Sequence, residues 1–216
     1  MTQAEHVEAL DHAEHFEDLE TQAHAARLGL WVFLASEVLL FGALFALFAS
    51  YRMHYPAEFR QAVLHNTKLL GSINTGVLLV SSTIVACGVH ALRAGRVKLA
   101  MLSVSATALL GFVFLGVKLT EYGRHFAEGI YPGGSGRYFV EHGMRGSSEF
   151  WTLYYGMTGL HAVHVTIGIA VLGAMLLGIA RDKITPRTAY RLELGATYWH
   201  LVDLVWIFLW PLFYLA

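Results

Sequence analysis

The sequence predicts an all-α fold, a polytopic membrane bundle of five transmembrane helices with a cytoplasmic amino terminus. Hydrophobic residues make up 56% of the 216 positions and charged residues only 14%, far below the roughly 25% of charged residues in soluble domains. Five apolar stretches are long enough to cross a bilayer core, and shorter polar or basic segments separate them. We predict the spans at about 28–50, 68–92, 98–122, 150–180 and 194–214.

The first span, residues 28–50, carries a carboxylate near its middle. A charged glutamate at this depth costs at least about 2.5 kcal/mol, so Glu37 must be protonated, hydrogen-bonded inside the bundle, or part of a proton or substrate path. A neutral glutamic acid held by neighbouring helices and a role in proton chemistry are both open at this point. Tyr51 and Arg52 close the span at the interface, where aromatic and basic side chains are favoured.

The second and third spans are joined by a short basic turn, residues 93–96, which predicts an antiparallel pair of helices. The second span is rich in Gly, Ser and Thr, which let helices approach closely and form hydrogen bonds across an interface. We therefore expect it inside the bundle. Lys118 and Glu121 stand at i and i+3 near the end of the third span, which predicts an ion pair at that helix end.

The fourth and fifth spans carry the deep histidines. The fourth follows the longest irregular segment, residues 123–148, and holds His161 and His164 in its first half. The fifth holds His200 and Asp203 and ends in aromatic residues from Trp210 onward, a pattern typical of an interfacial belt.

The chain divides into an acidic cytoplasmic tail, residues 1–27, and a membrane domain, residues 28–216. The first 26 residues contain seven acids and no Lys or Arg, which is unlike the basic start of a secretory signal or transit peptide. A net charge of −1 offers no basic surface for nucleic acid. Cys87 is the single cysteine, which excludes an internal disulfide and a CxxC site.

The orientation follows from the basic residues, which are retained in short cytoplasmic loops. Eight of them fall on the side of the amino terminus, in two short turns and beside the first span: Arg27, Arg93, Arg96, Lys98, Arg181, Lys183, Arg187 and Arg191. Six are spread over the longer, acid-containing loops of the other side: Arg52, Arg60, Lys68, Arg124, Arg137 and Arg145. The amino terminus is therefore predicted in the cytoplasm.

The polar residues of two spans are predicted to share one layer. Counted along the helices from the cytoplasmic ends, Glu37 and Asp203 lie about 14 Å deep and His200 about 9 Å. His200 and Asp203 stand at i and i+3, so the imidazole can face the carboxyl of Glu37 or of Asp203. We predict that Glu37 is protonated within this dry, hydrogen-bonded layer. His164, nearer the outer half, is a further candidate for the proton-related set.

A haem or copper site and a transporter are the main alternatives. A di-haem bundle needs axial histidines about 13 to 14 residues apart on each of two helices, and no such spacing occurs. A haem-copper centre would need about six inward histidines, and only His161, His164 and His200 are deep. No cofactor or metal is therefore expected in this chain. A transporter would show internal repeats with broken helices, whereas spans one to three do not resemble spans four and five.

Five signatures, taken together and in order, resemble subunit III of the haem-copper terminal oxidases. They are Trp31-Val-Phe-Leu-Ala-Ser-Glu37, Asn74-Thr-Gly-Val-Leu-Leu, Glu121-Tyr122, Thr158-Gly-Leu-His-Ala-Val-His164 and Tyr198-Trp-His-Leu-Val-Asp-Leu-Val-Trp206. The resemblance covers residues 28–214, nearly all of the membrane part.

That resemblance implies a seven-helix family fold without a redox centre of its own, which packs on catalytic subunit I and holds phospholipid in a cleft. With five spans, this chain is similar to the shorter bacterial form that lacks the first two helices. Glu37 then corresponds to the family's carbodiimide-reactive glutamate, and His200 and Asp203 to its final-helix motif.

The implied function is that of a non-catalytic subunit of a proton-pumping cytochrome c oxidase in the bacterial plasma (inner) membrane. It would stabilise subunit I, alongside subunit II, support proton uptake and hold lipid, while haem and copper sit in the partner subunits. The alternatives are subunit III of a bo-type quinol oxidase, the related accessory protein of nitric oxide reductase and, less favoured, a stand-alone transporter.

Overall fold

The computed structural model describes residues 18–142 and 145–215, and over these ranges it contains seven α-helices and no strand. Most of the predicted acidic tail therefore lies outside the described residues. A short 3-10 turn lies at Pro132–Gly134. The helices are α1 Leu19–His54, α2 Pro56–His65, α3 Lys68–Arg93, α4 Val97–Ala127, α5 Arg137–His142, α6 Arg145–Ala180 and α7 Tyr190–Tyr214.

The predicted five spans are confirmed, since α1, α3, α4, α6 and α7 are long and apolar enough to cross a membrane. Three of these helices extend well past the predicted ends. At about 1.5 Å per residue, a helix of 36 residues reaches about 54 Å, so α1 and α6 project beyond a hydrocarbon core of about 30 Å. The helix α1 starts at Leu19, within the predicted tail.

The connection after α1 is one of the polar segments that separate the predicted spans, and it folds into a surface helix. Pro56 occupies the first turn of α2, where a missing N–H costs nothing. Phe59, Ala62 and Val63 follow at the spacing of one helical face, and all three are buried. This apolar stripe holds α2 against α6 and, to a lesser extent, against α1 and α7.

Four of the spanning helices form a closed ring. The helix α3 packs on α4, α4 on α6, α6 on α7, and α7 back on α3. Among the described residues, α7 rather than α3 is the span with the largest buried share. Leu69, Ile73 and Val80 on α3 remain exposed, so this helix lines the bundle with one side only.

Trp199 on α7 joins the other three helices of the ring. A Cβ on Gly111 of α4 would lie 2.8 Å from its indole, and one on Gly168 of α6 would lie 2.7 Å from it. The indole Nε1 donates to Ser81 Oγ of α3 at 3.0 Å. The two glycines therefore make the notch that lets a fully buried tryptophan sit at the centre of the bundle.

The helix α1 lies outside the ring, against α6 and α7. Its buried residues are Leu34, Phe41 and Phe48, seven residues apart, which form a narrow seam. Large apolar side chains on its other sides are exposed, Trp31 and Leu39 among them. A helix attached by so narrow a seam presents most of its surface to lipid or to another membrane subunit.

The fold places the turn between α3 and α4 on one side of the membrane and the segment between α4 and α6 on the other. Single cysteines at Ala94 and Ser135, in a Cys87→Ser background, should therefore be labelled from opposite sides. The predicted orientation puts Ser135 outside. Membrane-impermeant maleimide on intact cells and on inverted vesicles measures both. The reverse pattern would invert the orientation, and labelling of both from one side would contradict the span count.

Candidate functional site

Two polar clusters built around a glutamate lie within the membrane-spanning part of the described chain. The first joins the middle of α1 to the middle of α6. Glu37 Oε2 lies 2.8 Å from His164 Nε2, and the two side chains are 14% and 13% exposed. His164 Nδ1 lies 2.9 Å from the carbonyl oxygen of Leu160, one turn earlier in α6.

The contact with the carbonyl fixes where the protons of this pair can be. A carbonyl oxygen can only accept a hydrogen bond. Nδ1 of His164 must therefore carry a proton and donate a hydrogen bond to the carbonyl oxygen of Leu160. Nε2 then either accepts a hydrogen bond from a protonated Glu37 or donates one to its carboxylate as imidazolium. In both cases the pair is neutral overall and shares one proton. A neutral pair is what a helix interface in the membrane tolerates.

Aromatic side chains enclose this pair. The Phe41 ring meets the His164 ring edge-on, with centroids 5.4 Å apart. The Tyr198 hydroxyl donates to the His164 carbonyl oxygen at 3.2 Å. Tyr198 is in turn packed against Phe33 of α1, with ring centroids 6.0 Å apart. The pair therefore sits in apolar surroundings and ties the otherwise narrow seam of α1 to the ring.

The predicted contact of Glu37 with His200 or Asp203 was wrong. His200 Nδ1 lies 2.6 Å from Ser82 Oγ, so the imidazole of His200 points toward α3. Asp203 is 2% exposed and lies beside Ser82, but neither of its carboxyl oxygens has a hydrogen-bond partner among the described residues. The rise per residue of a helix predicts how deep these residues lie. The direction in which their side chains point depends instead on how α7 is rotated about its own axis in the bundle.

The second cluster is built around an ion pair within α4. Lys118 Nζ donates to Glu121 Oε2 at 2.9 Å, and the two side chains are 3% and 2% exposed. The ammonium also donates to the hydroxyls of Tyr154 on α6 and Tyr214 on α7, at 2.9 and 3.0 Å. Lys118 thereby uses all of its three N–H donors.

The tyrosines complete the electrostatics of the ion pair. The Tyr214 hydroxyl donates to the Glu121 carboxylate, 2.8 Å from Oε1 and 2.9 Å from Oε2. The Tyr154 ring face lies 4.7 Å from Lys118 Nζ, close enough for a cation–π contact. The Tyr122 hydroxyl forms a hydrogen bond with Thr158 of α6. Two other helices, α6 and α7, therefore supply the hydroxyl partners that a buried ion pair on α4 needs to be stable.

The location of this cluster differs from the predicted helix end. The helix α4 continues to Ala127, so Lys118 and Glu121 lie inside the bundle. Tyr214 was assigned to an interfacial belt, yet it is fully buried. The reason is that the end of α7 contacts the segment just before α3. There, Asn66 Nδ2 donates a hydrogen bond to the carbonyl oxygen of Phe213 at 2.9 Å.

His161 is the third deep histidine, and the sequence analysis gave it no partner. It is fully buried, and neither ring nitrogen has a hydrogen-bond partner within the described residues. Its ring lies 5.2 Å from that of Trp206 and 5.4 Å from that of Phe114. Within residues 18–142 and 145–215, no three His, Cys, Asp or Glu side chains converge as a metal ion would require.

The comparisons with known proteins agree on one family. The family model described as cytochrome c oxidase subunit III matches residues 11–216. The chain is 32% identical over 212 residues to quinol oxidase subunit 3 of Bacillus spizizenii (strain ATCC 23059 / NRRL B-14472 / W23), with 95% of this chain and 97% of that protein covered. It is 31% identical over 212 residues to quinol oxidase subunit 3 of Bacillus subtilis (strain 168), with the same coverage.

A third relative is more distant. It is the probable quinol oxidase subunit 3 of Staphylococcus haemolyticus (strain JCSC1435), which is 30% identical over 191 residues, 88% of each chain. The family match includes every residue of both polar clusters.

Removing one member of the buried ion pair should destabilise the protein strongly. Lys118→Met or Glu121→Gln leaves an uncompensated partner in the bundle, so we expect a loss of about 3–5 kcal/mol in the free energy of unfolding. The double substitution removes both charges and should cost less than the sum of the two. Unfolding of the purified chain in mixed detergent micelles, followed by circular dichroism, measures this.

A matched control for this experiment is the ion pair of Arg93 with Glu193, whose side chains are 51% and 35% exposed. Because exposed pairs are screened, Arg93→Met should change the free energy of unfolding by about 0–1 kcal/mol. Equal effects of Arg93→Met and Lys118→Met would show that the buried cluster does not stabilise the bundle.

A hydrophobic carbodiimide should modify Glu37 in preference to the other carboxylates. The reagent enters the membrane and attacks neutral acids, and Glu37 is partly exposed beside an imidazole, whereas Glu121 is 2% exposed and bound to Lys118. In His164→Phe the carboxyl loses its partner and must be protonated, so the labelling should persist. Mass spectrometry of labelled peptides gives the site. Labelling of Glu121 or Glu193 without Glu37 would contradict the prediction of a protonated Glu37.

Proposed function

The chain belongs to the cytochrome c oxidase subunit III family and is a subunit III of the haem-copper oxidases, and from this premise we propose that it works in a quinol oxidase. The observation that carries the choice of donor is the set of relatives. Those at 29–32% identity, matched over most of the chain, bear the name quinol oxidase subunit 3 or probable quinol oxidase subunit 3. This favours the quinol alternative over the cytochrome c oxidase that the sequence analysis placed first.

We assign haem and copper to the partner subunits. The donor sets that such groups need are missing from the described part of the chain, where no three suitable side chains converge. The three deep histidines are also committed to other surroundings: His164 to Glu37, His200 to Ser82, and His161 to an aromatic pocket. The chain's contribution to oxygen reduction is then indirect.

The partner of this subunit is subunit I, together with subunit II, in the bacterial plasma (inner) membrane. Support comes from the exposed apolar surface of α1 and from the bacterial source of the relatives. The helix α1 is fixed to the ring by a narrow seam and by one hydrogen-bonded pair, so a neighbouring subunit that covers it would hold it in place. The same contact would let this chain stabilise subunit I.

Bound phospholipid is supported by a cavity of about 470 Å³ between α1, α6 and α7. Its walls are apolar apart from Arg191, which lies near the start of α7 where headgroups are expected. An acyl chain in this cavity would fill the space beside the narrow seam of α1. A role in proton uptake is supported by the Glu37–His164 pair, which holds one exchangeable proton in the middle of the membrane.

The proposed role predicts that this subunit determines how long the oxidase keeps working rather than whether it works. Without a redox ligand set, its loss leaves electron transfer in subunit I chemically possible. Its absence also lets subunit I relax during turnover, so inactivation should accumulate with cycles. Oxygen uptake by the purified complex, with and without this subunit, should be recorded with quinol and with reduced cytochrome c as donors.

We expect similar initial rates with quinol, followed by a faster decline in the complex that lacks the subunit. Reduced cytochrome c should support little uptake in either preparation. Immediate loss of electron transfer in an otherwise intact complex that retains its haem would overturn the non-catalytic role. Uptake with cytochrome c but not with quinol would overturn the choice of donor and leave the supporting role standing.

A further inference from the structure

We propose that residues 1–17 bind, through their carboxylates, to a basic surface of this same chain. Residues 1–17 lie outside the described ranges, and their sequence contains five acids and no Lys or Arg. The surface, which we call the basic face, is formed by the turn between α3 and α4 and by the segment between α6 and α7. Its residues are Arg93, Arg96, Lys98, Arg181, Lys183, Arg187 and Arg191. The inference goes beyond the proposed function and does not depend on the electron donor.

The fold puts residues 1–17 and the basic face on the same side of the membrane. The helix α1 begins at Leu19, directly after this part of the chain. Because the five spans alternate in direction, the start of α1 shares its side with the end of α3, the start of α4, the end of α6 and the start of α7. This arrangement holds whichever side of the membrane is the cytoplasm.

Residues 1–17 are long enough to reach the whole basic face. A chain of this length spans at most about 60 Å. The helices α6 and α7 both pack against α1, so the segment that joins them lies about one helix diameter, or 10 Å, from α1. The helix α3 packs on α7, one diameter further away. Attachment to α1 keeps residues 1–17 at an effective concentration of about millimolar, so several weak exposed ion pairs can hold them.

The basic face lacks acids that would balance its charge. Its two stretches, residues 93–98 and 181–191, contain seven basic residues and one acid, and six of the seven basic side chains are exposed. The nearby Glu193 is shared, since its Oε2 lies 2.6 Å from Arg93 and 3.3 Å from Arg27. The other six basic residues form no ion pair within the described part of the chain. An anionic segment would therefore find complementary charge here.

Anionic lipid headgroups are the alternative occupant of the basic face, because basic residues at a membrane surface attract them. The position of α1 favours residues 1–17. The helix starts nine residues before the predicted span, which puts Leu19 about 14 Å from the hydrocarbon core and beyond a headgroup layer of about 5–8 Å. Residues 1–17 therefore begin in water. Anionic headgroups repel their five acids, whereas the basic face attracts them.

This binding gives α1 a second attachment to the ring. The buried residues of α1 begin at Leu34, and none of residues 19–33 is buried. The described ion pair on this half of the helix is that of Arg27 with Glu193, and both side chains are partly exposed. Residues 1–17, bound to the segments that follow α3 and α6, tie the start of α1 to the ring.

Zero-length cross-linking of the purified oxidase complex tests the proposal. A water-soluble carbodiimide joins a carboxylate to a lysine amine only when the two groups are in contact. The basic face carries Lys98 and Lys183, whereas Lys68 is exposed on the opposite side of the membrane. Mass spectrometry of the digested subunit should find residues 1–17 joined to Lys98 or Lys183 and not to Lys68. Cross-links of residues 1–17 to neither lysine, or only to another subunit, would overturn the proposal.

Salt and matched variants show whether charge holds residues 1–17 in place. In about 1 M salt, where the screening length is about 3 Å, the cross-link yield should fall at least about fivefold. Arg181→Gln with Arg187→Gln should lower the yield at Lys183 to a similar extent, because both arginines flank this lysine. Arg52→Gln with Arg60→Gln removes the same charge from exposed sites on the other side and should leave the yield unchanged. Equal yields in the two double variants would overturn the proposal, because chance encounters do not depend on neighbouring arginines.

The lipid alternative is tested by placing the complex in nanodiscs of two compositions. Neutral phosphatidylcholine and a mixture with anionic phosphatidylglycerol should give the same cross-links in similar yield. Loss of the cross-links in the anionic mixture would assign the basic face to lipid headgroups and overturn the proposal.

Discussion

The buried ion pair of Lys118 and Glu121 links three of the spanning helices, α4, α6 and α7. Two opposite charges within a membrane bundle are stable only when their remaining donors and acceptors are satisfied. Tyr154 and Tyr214 meet that need, and each comes from a different helix. The positions of α6 and α7 relative to α4 are therefore tied to hydroxyl groups that must lie within about 3 Å of one ammonium. The apolar packing around Trp199 is compatible with the same arrangement.

Glu37 and His164 neutralise a carboxyl in another way. One proton is shared between two side chains, and the carbonyl of Leu160 fixes the orientation of the imidazole. Sharing a proton in this way needs few hydrogen-bond partners. It is therefore compatible with α1, which contacts the ring only along a narrow seam. It also leaves the pair partly exposed toward the surface of the bundle. In a haem-copper oxidase, that surface faces lipid or a neighbouring subunit.

Much of the fold could be predicted because length and hydropathy dictate which segments cross a bilayer. The depth of Glu37 was predictable for the same reason. Its hydrogen-bond partner was not, because the rotation of each helix about its axis depends on packing against the other helices. The surface helix α2 was missed since its apolar stripe is only three residues long. Tyr214 was misplaced because a terminal aromatic run is typical of an interface, whereas its burial depends on tertiary contacts with Lys118 and Glu121 of α4 and with Gly71 of α3.

The two clusters differ in how many of their partners this chain supplies. Glu37 lies in the middle of α1 and pairs with a single side chain, His164 of α6, and both side chains are partly exposed. Glu121 lies nearer one surface, and its carboxylate borders a polar cavity. Its charge is neutralised inside this chain by Lys118 and by hydrogen bonds from Tyr214, whereas the exposed part of Glu37 is open to a neighbouring subunit. We therefore expect partner subunits to influence Glu37 more than Glu121.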